Sequence, residues 1–175
     1  MQPLNSSRGF SLIEVMVASA ILGCAVLSVA QLMAAATSAT ANAREVSEAT
    51  FLAWQKIDQL RSLAYTFDDA GGPVTDLSSD TASQPEQAFG GTGLRPSGAG
   101  ALNRDTAGYV DYLDALSQPL GGGDRAPKGT RYRRRWAIET AAGIPDALIL
   151  RVRVLATGGN AELAGVATVR SRRRS

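Results

Sequence analysis

The chain has 175 residues, with 18 Lys and Arg against 16 Asp and Glu, one cysteine and no histidine. Without histidine there is no Ser-His or Cys-His dyad, and a single cysteine excludes an intrachain disulfide. The length allows one small globular domain beyond a long helix, and the formal net charge of +2 gives no overall bias toward a polyanionic partner.

The first element is apolar. Between Phe10 and Ala43 the only charged residue is Glu14, and the next charge is Arg44. A helix rises ~1.5 Å per residue and needs about 20 apolar residues to cross a hydrocarbon core, so residues 10–36 are expected to span a membrane. Glu14 would cost about 2.5–3.5 kcal/mol near the bilayer centre, and such residues usually have a partner. A secretory signal peptide with Ala34-Ala35-Ala36 as its cleavage site is one reading, but an h-region runs to roughly 7–15 residues and has no reason to carry an acid. A plain membrane anchor explains the length and leaves Gly9-Phe10 and Glu14 without a role.

Gly9-Phe10-Ser11-Leu12-Ile13-Glu14-Val15-Met16-Val17-Ala18 resembles the processing and methylation site of type IV pilins and type II secretion pseudopilins. The resemblance implies a leader, residues 1–9, removed by a prepilin peptidase between Gly9 and Phe10, followed by N-methylation of Phe10. Glycine suits that place because a residue without a side chain lets a protease reach the backbone closely, and Arg8 agrees with a cytoplasmic leader. In the family the glutamate at the position of Glu14 pairs with the N-terminal amine of a neighbouring subunit, which makes Glu14 an assembly residue. An acid in the first turn also suits the positive end of the helix dipole.

The chain departs from the family in two places. Many major pilins carry a proline at the position of Gln31, whereas this sequence has none between Phe10 and Pro73, so a proline-induced break is not expected. Gly23 is the one helix-weakening residue of the span, at about 1 kcal/mol relative to alanine, and small residues of this kind let helices pack closely. Many pilins also close a C-terminal loop with a disulfide, and here the lone Cys24 lies in the apolar run.

Residues 37–65 continue the helix out of the membrane as an amphipathic segment. Val46, Ala49, Ala53, Ile57, Leu60 and Ala64 fall at helical spacing, with Arg44, Glu45, Glu48, Lys56, Asp58 and Arg61 among the polar positions. From Phe10 to about Tyr65 such a helix would measure roughly 80 Å. Phe51 and Trp54 could be partner contacts, but aromatic residues on such a helix more often cover the sheet of their own domain, and that is the expectation here.

Residues 66–130 are rich in Gly, Pro, Ser, Asp and Thr and read mostly as loop, with one short helix or strand around Asp111, Leu113 and Leu116. In pilins the corresponding region is the variable surface. Asp68, Asp69, Asp76 and Asp80 lack the EF-hand spacing and read as solvated turn residues, so no metal is assigned.

Residues 131–175 read as an antiparallel meander of three strands with a basic tail. Tyr132 to Glu139 alternates Tyr132, Arg134, Trp136 and Ile138 against Arg133, Arg135 and Ala137. Ala147 to Ala156 alternates Leu148, Leu150, Val152 and Val154 against Arg151 and Arg153, and Ala164 to Arg172 follows more weakly. One apolar face needs a cover, and the amphipathic half of the helix supplies it. The fold class is α+β: a long N-terminal helix, membrane-spanning in its first half, packed against a small C-terminal antiparallel sheet. That is also the pilin architecture.

Charge is uneven. Residues 66–130 hold nine acids against four bases, and residues 131–175 hold ten arginines against three acids. Arg133, Arg135, Arg151, Arg153, Arg170 and Arg172 are expected on the outer face of the sheet, with the acidic loops as their anions. Arginine with Tyr132 and Trp136 is also a set that engages nucleic acid, against which stands the placement of Trp136 on the core face.

No phosphate-loop, Rossmann or zinc-ligand spacing is present, so no cofactor is expected and the chain reads as a substrate of enzymes rather than an enzyme. The resemblance points to a minor subunit of PilV type, on the missing disulfide, the missing proline and Trp54-Gln55-Lys56-Ile57-Asp58-Gln59-Leu60-Arg61-Ser62-Leu63. The implied partners are other pilin or pseudopilin subunits, the prepilin peptidase and N-methyltransferase, and the inner membrane. The globular domain is expected in the periplasm, before assembly into a type IV pilus or, alternatively, a type II secretion pseudopilus.

Overall fold

The computed structural model describes residues 10–67, 73–77, 91–144, 146–158 and 161–171, in two compact units, one up to Arg44 and one from Glu45. Residues 1–9, which include Gly9 and are expected to form a leader, together with Asp68, Asp69, Asp80 and Arg172, lie outside the described residues.

Helix α1 spans Leu12–Ser62 without a break, 51 residues in all. In the first unit it is the one described element, and each described residue there is exposed. This stretch is long and apolar enough to cross a membrane. Its hydroxyls are all satisfied within the helix: Ser19 Oγ donates to Val15 O (2.8 Å), Ser28 Oγ to Cys24 O (2.9 Å) and Thr40 Oγ1 to Ala36 O (2.8 Å), and Thr37 and Ser38 do the same. They therefore bring no unpaired donor to an apolar solvent.

In the second unit α1 buries Ala49, Leu52, Ala53, Lys56, Ile57 and Leu60. The spacing of three and four residues makes one stripe. It differs from the expected stripe at its edges. Val46 is 45 % exposed and Ala64 lies exposed beyond the helix end, while Leu52, Leu63 and the charged Lys56 are buried.

The stripe packs on a five-stranded antiparallel sheet of order β4-β3-β5-β6-β7. The expected C-terminal strands are β5 (Tyr132–Thr140), β6 (Ala147–Ala156) and β7 (Glu162–Ser171). Two further strands extend it, β3 (Val110–Leu113), where one short helix or strand is expected around Asp111 and Leu113, and β4 (Pro119–Gly122), in a stretch read as loop. All four β3 residues are buried, so no period of two marks it in the sequence. A separate two-stranded sheet joins β1 (Tyr65–Phe67) and β2 (Pro73–Thr75). Trp136, Ile138, Leu148, Leu150, Val152 and Val154 meet the helix in the core, each large side chain contributing about 1.5–3 kcal/mol by leaving water.

Residues 91–109 are built into the domain by specific bonds. Where β3 stops, Tyr109 O accepts from Trp136 N (3.1 Å), Ser97 N donates to Ile138 O (2.8 Å), and Ile138 N donates to Ser97 Oγ (3.1 Å). The segment thus continues the ladder along β5 without being a regular strand. Gly108 makes this path passable. Its φ is +82°, and a Cβ there would lie 2.5 Å from Thr92 Cγ2.

Candidate assembly site

At the head of α1, Ser11 O accepts from Glu14 N (3.0 Å) and Val15 N (3.2 Å), which makes Ser11 the N-cap and Glu14 the third helical residue. Ser-x-x-Glu is the capping-box pattern. Neither side chain makes the reciprocal bond among the described residues, and no side chain there pairs with the Glu14 carboxylate. Phe10 stands before the helix, 83 % exposed. The geometry is a free carboxylate one turn beyond an exposed Phe10, at the positive end of the helix dipole, on a helix with no other charge before Arg44.

The second unit handles its ionisable groups in the opposite way. Lys56 Nζ and Arg134 Nη2 both meet Asp111 Oδ2, at 2.7 and 2.8 Å, and Arg134 Nε donates to Asp111 Oδ1 at 2.9 Å. Arg134 Nη1 reaches the helix, donating to Leu52 O (2.9 Å) and Gln55 Oε1 (3.0 Å). Lys56 and Asp111 are fully buried, and the ammonium lies 4.1 Å from the Trp136 ring centroid. Burial pushes the Asp111 carboxyl up, but attraction to Lys56 and Arg134 and their hydrogen bonds outweigh it and hold it below the usual range. The pattern of β5 puts Arg134 on this face. The burial of Lys56, read as polar surface, depends on Asp111, and nothing local to the helix signals it.

Glu48 ties the β3–β4 hairpin to α1: Ser117 Oγ donates to Oε1 at 2.6 Å and Tyr132 OH to Oε2 at 2.8 Å. The Ser117 and Tyr132 bonds lower its pKa. Ser117 has φ 61°, a left-handed conformation uncommon outside glycine, and Asp114 Oδ1 holds the turn by accepting from Leu116 N and Gln118 N, both at 2.8 Å.

The outer arginines do find anions, from the loop and from their own sheet. Arg133 and Arg135 meet Asp105 at 3.4 and 2.8 Å, Arg153 pairs with Glu162, and Arg151 stands 3.8 Å from Glu139. Arg170 is a correction. The register Leu148↔Arg170 places it on the helix side, where Nη1 donates to Leu60 O (2.9 Å) and Arg61 O (2.5 Å), and Nη2 to Leu63 O. It caps the C-terminal end of α1. Tyr132 and Trp136 are buried in the core, so neither offers a ring face to a nucleic acid base. Phe51 and Trp54 are a second correction. They are 66 % and 47 % exposed and do not cover the sheet, because the stripe that does so is centred on Ala49, Ala53, Lys56 and Leu60.

Residues 4–30 match the family model of the prokaryotic N-terminal methylation motif. The chain carries the prepilin signature of type IV pilins and pseudopilins. The motif covers Gly9, Phe10 and Glu14 together with the first part of the apolar helix, and the α+β architecture behind it is pilin-like. No curated protein and no solved structure matches the chain. The motif implies processing by a prepilin peptidase and assembly with other pilin subunits, and the long apolar helix is consistent with membrane anchoring.

Proposed function

We propose that this pilin-like chain is a minor structural subunit that takes part in assembling or priming a type IV pilus. The precursor inserts with its globular unit in the periplasm, is cut between Gly9 and Phe10, and is methylated on Phe10. It then leaves the membrane by exchanging lipid for the helices of other subunits. The observation that carries the reading is Glu14, a carboxylate with no partner among the described residues, one turn beyond Phe10 on a helix with no other charge before Arg44. A new N-terminal amine supplied by a neighbouring subunit neutralises it, and two charges that are each costly in lipid then set the register. The reading makes the chain a substrate of the peptidase and methyltransferase, with no catalytic step of its own.

The test is intact mass and N-terminal sequencing of the membrane-extracted protein, with and without prepilin peptidase. The expected mature chain begins at N-methyl-Phe10 and only in the presence of the peptidase. An unprocessed Met1, or a start near Thr37, would overturn the reading.

A further inference from the structure

The two edges of the main sheet are finished differently. Edge strand β4 is four residues long and contains Pro119, Gly121 and Gly122, a blunt edge that resists further pairing. Edge strand β7 is ten residues long and pairs only with β6 among the described residues. It contains no proline or lysine, and no charge lies between Glu162 and Arg170. Its one irregularity, at Val154/Leu155 opposite Glu162, lies at the far end.

The hydrogen-bond phase shows which groups this edge offers. Ala141 N donates to Ala147 O (3.0 Å) and Thr157 N to Arg131 O (2.9 Å), at the two ends of the β5–β6 ladder. With the register Ala137↔Arg151, the odd-numbered residues of β6 therefore turn their backbone groups to β5 and the even-numbered ones to β7. Leu150↔Thr168 and Val152↔Val166 are then bonded pairs, and Gly165, Ala167 and Val169 turn both N–H and C=O away from the sheet. All three residues are small or aliphatic and exposed. Beside them a shallow groove of about 390 Å³ is lined by Leu102, Arg151, Arg153, Glu162, Gly165 and Ala167.

We propose that β7 is a strand-addition site for an extended acidic segment of a partner protein. Backbone pairing to Gly165, Ala167 and Val169 supplies affinity, and side-chain chemistry supplies selection. Arg151 lies directly across from Ala167. Its side chain is 47 % exposed, and its ion partner Glu139 is 3.8 Å away, beyond hydrogen-bond reach. An added strand would lie about 10 Å from β6, two strand spacings away, and an arginine crossing the small Ala167 reaches a carboxylate there. Arg153 is already held by Glu162 and Asn103, which leaves Arg151 to read the incoming acid. The site belongs to the globular unit alone and stands or falls independently of N-terminal processing.

The probes are two capped eight-residue peptides, one alternating Val and Asp and one alternating Val and Lys, added to the full chain in detergent micelles. Amide exchange is followed by NMR. The Asp peptide is expected to protect the amides of Gly165, Ala167 and Val169 while leaving Val166 and Thr168 unchanged. Ala167→Pro removes an outward N–H without touching the β6 ladder and should abolish that protection, and Arg151→Glu should weaken the Asp peptide about tenfold and favour the Lys peptide. If Ala167→Pro does not fold, the Arg151→Glu comparison decides. Equal binding of both peptides, no protection by the Asp peptide, or concentration-dependent protection without peptide, meaning a second copy on the edge, would each overturn the proposal.

Discussion

Helix α1 places one charged residue in its apolar stretch and one in its packed stripe, and the two are resolved differently. Glu14 is exposed and has no partner among the described residues, whereas Lys56 is fully buried and meets Asp111 at 2.7 Å. A charge that finds its counter-ion within the fold contributes to holding that fold together. A charge that does not is left for something outside the described residues, and under the proposed function that is a neighbouring subunit; the comparison teaches that where the counter-ion lies separates a charge settled within the fold from one available to a partner.

The sharpest way to break this comparison is Asp111→Ala, which leaves Lys56 and Arg134 buried together without their anion. The loss expected is about 3–5 kcal/mol, read from urea unfolding of the full chain in detergent. A loss under about 1 kcal/mol would mean that water or rearrangement relieves the cations, and the cluster would not be what fixes Lys56. Acid should act on the same bonds. Folding lowers the pKa of both Asp111 and Glu48 from ordinary values of 3.8 and 4.5, so the folded state binds fewer protons than the unfolded one. Their contribution is complete above those ordinary values and is lost as pH falls through the lower folded ones. The globular unit should therefore lose stability below about pH 4, and Glu48→Gln should flatten that decline. A stability profile that is flat down to strong acid would contradict both assignments.

The sequence already contained most of the architecture. The long apolar run and the period-two alternation of β5 and β6 are local patterns, and each identifies its element. Arg134 was placed on the core face by the same alternation. Features that depend on contacts distant in sequence were not legible. The burial of Lys56 needs Asp111, which sits on a strand too short and too uniformly buried to show a period. The exposure of Phe51 and Trp54 depends on which helix face meets the sheet, and Arg170 turned out to be a helix cap because the weak alternation of β7 did not fix its phase. For the N-terminal site, the signature was fully legible, since its chemistry lies in ten consecutive residues.

Two smaller effects sharpen the contrast. Arg170→Ala removes the donor to Leu60 O, Arg61 O and Leu63 O and should cost about 1–2 kcal/mol in the same unfolding measurement. Lys56→Met should change stability by no more than about 1 kcal/mol in either direction, because Asp111 keeps its two bonds from Arg134 and the apolar stem is replaced by one of similar volume. A much larger loss would place the structural weight on the ammonium and its Trp136 contact rather than on the carboxylate.

Glu14→Ala should have the smallest effect on stability and the largest on assembly. In the globular unit the urea midpoint should not move, because no described side chain leans on the carboxylate. Removing an acid from an apolar helix should also make membrane insertion easier by up to about 2.5–3.5 kcal/mol, so a loss of the protein from the membrane fraction is not expected. Cleavage at Gly9 should proceed, yet the processed chain should remain in the membrane and be missing from sheared filaments. The capping-box pattern gives Glu14 a competing, purely local role, and Glu14→Gln separates the two. Glutamine is the other residue that serves at this cap position, so it preserves the helix start while removing the charge. If Glu14→Gln assembles normally where Glu14→Ala does not, the residue acts as a cap and the counter-ion reading fails. If both variants are excluded from filaments, the negative charge itself is what a neighbouring subunit's amine requires.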